Sequence, residues 1–196
     1  MKILIWFFSF QTSLALAGEA PGVSDLSQKG SKEFGCEESL RLPEWLSSSN
    51  EFVFKTGKWH IERPATETSP VRGTCLWVFT IRPPAGKQMM IHQQSVFANV
   101  NLVADSSAHF RMETFSPGSS GSKMDEPLKA PSGVLKGERL LKGPMRLIVR
   151  CGETAQIRIN ASVVLDPRPL SGKTEIDVVH AVLGFQIEDC PTRNAR

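Results

Sequence analysis

The sequence predicts an all-β fold, an antiparallel β-sandwich of jelly-roll type stabilised by disulfides. Three features carry that expectation. Apolar residues recur with a period of two far more often than with a helical period. Clusters of Gly, Pro and Ser punctuate the alternating runs at short intervals. The four cysteines form an even set in a chain that opens with an export-type leader.

The leader comes first in order. Lys2 precedes an unbroken apolar run from Ile3 to Phe8, which continues through Phe10, Leu14 and Leu16 and closes on Ala15-Leu16-Ala17. One charge, a short apolar stretch and small residues on both flanks of Leu16 make a signal peptide of residues 1–17, cut after Ala17, with Ala20 as the second choice. Ser9, Gln11, Thr12 and Ser13 interrupt the run well short of the roughly 18 apolar residues an anchor needs. No later segment is long and apolar enough to span a bilayer, so no transmembrane segment is expected, and the remainder has the size of one domain.

Residues 18–33 are Gly, Ser, Pro, Asp and Lys with few large apolar side chains, which predicts a flexible N-terminal arm. The folded domain is expected over 34–190, and 191–196 as a polar tail. Within the domain, Cys75, Trp77, Phe79 and Ile81 fall on one face of a strand, and Pro83, Pro84 and Gly86 then force a turn. Further strands are expected over 88–92, 96–103, 109–114, 145–151, 155–165 and 176–188. Each has one apolar face that a second sheet must cover, hence two layers. The stretch from Ser116 to Gly143, rich in Gly, Ser, Pro and Lys, reads as a long flexible insertion, with a binding loop as the alternative.

All four cysteines lie beyond the leader. Three pairings are possible in principle, but Cys36 and Cys75, and Cys151 and Cys190, are each 39 residues apart, which favours Cys36–Cys75 and Cys151–Cys190. The short ligand spacing of a zinc site is missing throughout.

Cys75-x-Trp77-x-Phe79, followed by Pro83 or Pro84, Gly86, Met89, Ile91 and Phe97, resembles the cysteine, tryptophan, aliphatic, proline and glycine run of CUB domains. Cys36 stands where that family's first cysteine bridges to the run, and Gly184-Phe185-Gln186-Ile187 is similar to the opening of its closing strand. The resemblance spans roughly residues 36 to 188. It implies a CUB-like sandwich of antiparallel strands that serves secreted proteins in protein and carbohydrate binding. The acidic cluster with which many members hold calcium has no match, so no calcium site is transferred.

The remaining motifs are few. Asn160-Ala161-Ser162 is an N-glycosylation acceptor, and alternation places Ile157, Ile159, Ala161 and Val163 inward while Arg158, Asn160 and Ser162 face solvent. His60, His92, His109 and His180 lack any metal-binding spacing, and neither metal nor cofactor is expected. Gly118-Ser119-Ser120-Gly121 is one residue short of a nucleophile elbow, and bridged cysteines supply no thiolate. The net charge of +3 is scattered, which excludes a dedicated nucleic-acid surface. Trp77 is expected in the core, whereas Trp45 and Trp59 sit in less regular, charged settings; packing against a neighbouring strand is the favoured use of both, and ligand contact is the alternative that makes them the candidate contacts. These readings converge on a secreted, non-catalytic module that binds an extracellular protein or glycan through loops at one sandwich end. The alternatives are a secreted hydrolase built from dispersed acids and a self-associating matrix protein.

Overall fold

A computed structural model describes residues 20–31, 34–37, 42–166 and 172–191. The expected leader over 1–17 and the tail from 192 lie outside the described residues. Ten strands follow in chain order: β1 (Gly22–Gly30), β2 (Glu44–Leu46), β3 (Glu51–Arg63), β4 (Val71–Arg82), β5 (Lys87–Leu102), β6 (Ser106–Phe115), β7 (Ser122–Ala130), β8 (Leu135–Val149), β9 (Ala155–Leu165) and β10 (Thr174–Asp189). They form two five-stranded antiparallel sheets, ordered β1-β4-β9-β6-β7 and β2-β3-β10-β5-β8. We call these sheets A and B. No helix occurs among the described residues, and so none is long and apolar enough to cross a membrane.

The period-two pattern builds the interior. Cys75, Trp77, Phe79 and Ile81 of β4 and Ile157, Ile159, Ala161 and Val163 of β9 are all buried, and they face Phe54, Trp59 and Ile61 of β3 and Ala181, Leu183 and Phe185 of β10. Burying each large apolar side chain contributes about 1.5–3 kcal/mol. Two buried glutamines cross between the layers. Gln28 of β1 donates from Nε2 to the carbonyls of Glu37 (2.9 Å) and Thr56 (3.2 Å), and Gln94 of β5 accepts from Thr114 of β6 at 2.8 Å. Paired in this way, the polar groups escape the desolvation penalty of burial and fix how the sheets sit on each other.

Both disulfides form as the equal spacings favour. Cys36–Cys75 ties the β1–β2 connection to β4, and Cys151–Cys190 ties the β8–β9 turn to the end of β10. Several boundaries differ from the sequence reading. The segment expected as a flexible arm contains β1, an edge strand in register with β4 from Gly22–Arg82 to Gly30–Cys75, because Val23 and Leu26 pack against the core and Gln28 is buried. The expected insertion from Ser116 to Gly143 is mostly β7 and β8. Met124, Leu128, Ala130 and Leu141 turn inward there, and the polar residues between them face out. The two strands expected over 88–92 and 96–103 are one continuous β5, bent where its register with β8 shifts between Ile91 and Gln93.

Candidate functional site

At one end of the sandwich the β2–β3 and β4–β5 turns meet. Trp45 on β2 lies opposite Phe52 on β3, with ring centroids 4.8 Å apart, and its indole reaches Phe185 of β10 at 6.1 Å. Because β2 is only three residues long and lies at the edge of sheet B, the indole is half-buried rather than covered. It walls a hollow of 220 Å³ together with Pro84, Ala85 and Ile187, while Ser47, Asn50 and Lys87 supply the polar rim. Four contacts hold this rim. Asn50 adopts a left-handed backbone (φ 53°) and its carbonyl accepts from Phe185 N at 2.8 Å. Lys87 N donates to Pro84 O at 3.0 Å, and Lys87 Nζ pairs with Asp189 at 2.6 Å. Cys190 N donates to Gly86 O at 2.9 Å, so the second disulfide anchors the turn that forms one wall.

A second hollow, of 750 Å³, lies across the outer face of sheet A. Its floor is two rows of side chains in register. Lys29, Leu76, Asn160, Glu113 and Lys123 make one row across β1, β4, β9, β6 and β7; Thr74, Ser162, Arg111 and Asp125 make the next. Arg111 Nε donates to Asp125 at 2.9 Å and Lys123 pairs with Glu113 at 3.6 Å, both at exposed positions. Ser162 faces outward as expected, yet its neighbours on β4 and β6 bury it.

The outer face of sheet B carries a network of charges on β3 and β10. Glu62 stands opposite Glu175, and His60 opposite Asp177. His60 Nδ1 donates to Asp177 at 2.6 Å and Nε2 lies 3.3 Å from Glu62; Lys173 pairs with Glu62 at 3.3 Å and Glu175 at 2.7 Å. The Asp177 hydrogen bond raises the His60 pKa above its ordinary value against a smaller opposing effect of burial. Glu62, bonded to His60 and Lys173, and Glu175, bonded to Lys173 and Asn101, are both held below the usual carboxylate range. Neither carboxyl is pushed up in the way a general acid for sugar cleavage requires. The donor atoms of His60, Glu62 and Glu175 lie within 4.8 Å of one another and so could ligate a metal, but the ammonium of Lys173 already sits between the two carboxylates and pairs with both.

Of the two tryptophans expected at a ligand, only Trp45 borders a hollow. Trp59 is a correction: it is fully buried, its Nε1 donates to Phe34 O at 3.0 Å, and its ring packs on Trp77 and Phe110. The charged Lys58 and His60 beside it simply point outward from the same strand. Ser47, Asn50 and Lys87 were not singled out from sequence, and Pro84 was read only as a turn residue of the CUB-like run, in the Pro-Pro-Ala-Gly turn that makes one wall of the site.

No protein-family model and no curated protein matches the chain. Solved structures match at 11–14% identity. One is TmCBM61 in complex with β-1,4-galactotriose, with 11% identity, TM-score 0.37, and 85% of this chain and 89% of that chain covered. The family 11 carbohydrate-binding module from Clostridium thermocellum, in complex with a β-1,3-1,4-mixed-linked tetrasaccharide, has 12% identity and TM-score 0.24 over 82% of this chain and 98% of its own. An enzymatically active domain of bacteriophage CBA120 tailspike protein 4 has 14% identity and TM-score 0.26 over 80% of this chain and 19% of its own. No site residue is transferred from any of them.

Proposed function

We propose that this chain is a secreted, non-catalytic binding module of CUB-like sandwich type, and that it takes a glycan at the hollow beside Trp45. The observation that carries this reading is the half-buried indole set between two turns, with an apolar wall of Pro84, Ala85 and Ile187 and a polar rim of Ser47, Asn50 and Lys87. A mostly apolar concavity with a few fixed polar groups is the usual form of a small-ligand site. A sugar ring matches it in kind, because one face of the ring is apolar while its edge carries hydroxyls that both donate and accept. Asn50 and Ser47 offer both roles, and Lys87 donates. The site lies at a sandwich end, where loops are free to meet a ligand while the sheets behind them stay rigid.

The test is a glycan array probed with the secreted protein, followed by calorimetry on any hit with Trp45→Ala, Lys87→Ala and Ser47→Ala. Loss of about tenfold in affinity or more for Trp45→Ala is the expected result. A protein that binds no glycan, or whose binding survives all three substitutions, rules the reading out; binding to an extracellular protein that all three abolish would replace the glycan with a protein ligand.

A further inference from the structure

The hollow on sheet A holds the N-glycosylation acceptor at its centre. Asn160 stands on β9, the third of five strands, between Leu76 of β4 and Glu113 of β6, with Lys29 and Lys123 closing the row at either side. Its side chain is exposed and its carboxamide makes no hydrogen bond with any described residue. The acceptor serine, Ser162, lies on the same face two residues on and forms part of the hollow's floor. A substituent on Asn160 Nδ2 therefore has to leave through the hollow.

The surroundings suit a carbohydrate already tethered there. Lys29 and Arg72 line the hollow without a carboxylate partner among the described residues, and the hydroxyl of Thr74 and the carboxylates of Glu113 and Asp125 add a donor and acceptors. Leu76, beside Asn160, gives the apolar patch on which an N-acetyl methyl would rest. No aromatic side chain among the described residues lines this hollow, so a free sugar would find no large surface there to stack on. A tethered one needs none, because its attachment removes the translational cost of binding.

We propose that Asn160 carries an N-linked oligosaccharide whose first sugars lie in this hollow, making the outer face of sheet A a cradle for the protein's own glycan. In the attachment, Asn160 Nδ2 bonds to C1 of the first N-acetylglucosamine of a lipid-pyrophosphate-linked oligosaccharide. The C1–O bond breaks, its electron pair leaves with the lipid pyrophosphate, and the amide loses one proton to base. The transferase and the lipid-linked donor come from the secretory compartment, so the inference rests on the extracellular reading above. Its consequence is that an outside ligand meets the Trp45 end instead of this face.

The full chain is expressed in a eukaryotic secretory host and recovered from the medium. Enzymatic release of N-glycans is expected to lower its mass, and Asn160→Gln and Ser162→Ala each to abolish that change. Acetylation of lysines by an activated ester, read by mass spectrometry, is expected to be several-fold slower at Lys29 and Lys123 in the glycosylated protein than in either variant, with Lys58 unchanged. The idea is overturned if secreted, disulfide-bonded protein is unmodified at Asn160, or if modification leaves Lys29 and Lys123 labelling untouched. It is overturned equally if unglycosylated Asn160→Gln protein binds free chitobiose through Arg72, since the hollow would then be a site for an outside sugar. A chain retained inside the cell with free thiols would instead defeat the extracellular reading, and binding at Trp45 is scored separately.

Discussion

The indole of Trp59 on β3 meets the indole of Trp77 on β4 edge to face, with ring centroids 6.1 Å apart and planes at 69°. One ring comes from each sheet, so the pair bridges the two layers at the centre of the core. Truncating Trp59 to Ala is expected to cost about 3–5 kcal/mol, and Trp59→Phe less, though it still leaves the Phe34 carbonyl without its donor. Urea unfolding of both variants measures this; a Trp59→Ala protein of unchanged midpoint would contradict the packing described.

Thr56 sits fully buried where the register of β10 with β3 shifts between Val178 and His180. Its hydroxyl reaches the carbonyls of Val178 at 2.5 Å and Val179 at 2.9 Å. Thr56→Val keeps the shape and removes the donor. The expected loss is about 1–3 kcal/mol, with faster amide exchange confined to the Val178–His180 stretch.

Much of the sandwich was legible in the sequence, and the exceptions share a cause. β9 matches its expected bounds, and β4 and β9 were found with their inward residues, because the alternation in each runs long enough to be read, while β10 was found by extent alone. In β3 the inward residues are Phe52, Phe54 and Thr56 and then Trp59 and Ile61, a change of phase across Gly57 and Lys58. Gly57 takes a positive φ of 65° at this irregularity, so a test for strict alternation breaks there and Trp59 looks irregular. A search that allowed one slip at a glycine would have recovered it. β1 and β7 are edge strands with largely polar side chains, and their pairing to β4 and β6 leaves little trace in composition. The Trp45 hollow was half visible, since its tryptophan stood out while Lys87 and the apolar wall of Pro84, Ala85 and Ile187 come from segments distant in sequence.

The two histidines of β3 and β10 titrate in opposite directions. Asp177 raises the pKa of His60 above its ordinary 6.5, whereas burial, with Lys55 adding to the effect, lowers that of His180. His60 therefore adds stability that is complete below pH 6.5 and fades as the pH rises through its folded value. His180 acts in the other sense: its neutral form is favoured, so stability is lost as the pH falls from 6.5 toward its lowered value. NMR titration should place the two on either side of 6.5. Stability of His60→Gln should rise with pH across this window and that of His180→Gln should fall; equal slopes would refute the assignment.

Replacing Cys151 and Cys190 together by Ser is expected to cost about 3–4 kcal/mol through the freed loop of the unfolded chain. It should also loosen the Pro84–Gly86 turn held by the Cys190 amide, seen as faster exchange at Lys87 and a shift in Trp45 fluorescence. The matching Cys36 and Cys75 double variant should lose comparable stability while leaving the Trp45 signal in place. Identical fluorescence changes in both would deny the second bridge its local role.

The three residues of β2 cover only Glu51–Val53 of β3, so among the described residues no strand pairs on that side with β3 from Phe54 to Arg63, which forms part of the sheet's margin. Along that margin the Gly57 irregularity bends the chain, Lys58 and Lys55, the latter paired with Glu44 at 3.3 Å, stand out in solvent, and Glu37 N donates to the Lys58 carbonyl at 3.2 Å. A neighbouring molecule that tried to zip onto this rim would meet positive charge and an uneven backbone. Concentrated solutions should therefore resist strand-sharing aggregation, and anyone trimming Gly57 or neutralising these lysines to tidy the scaffold would be removing its guard against fibrils.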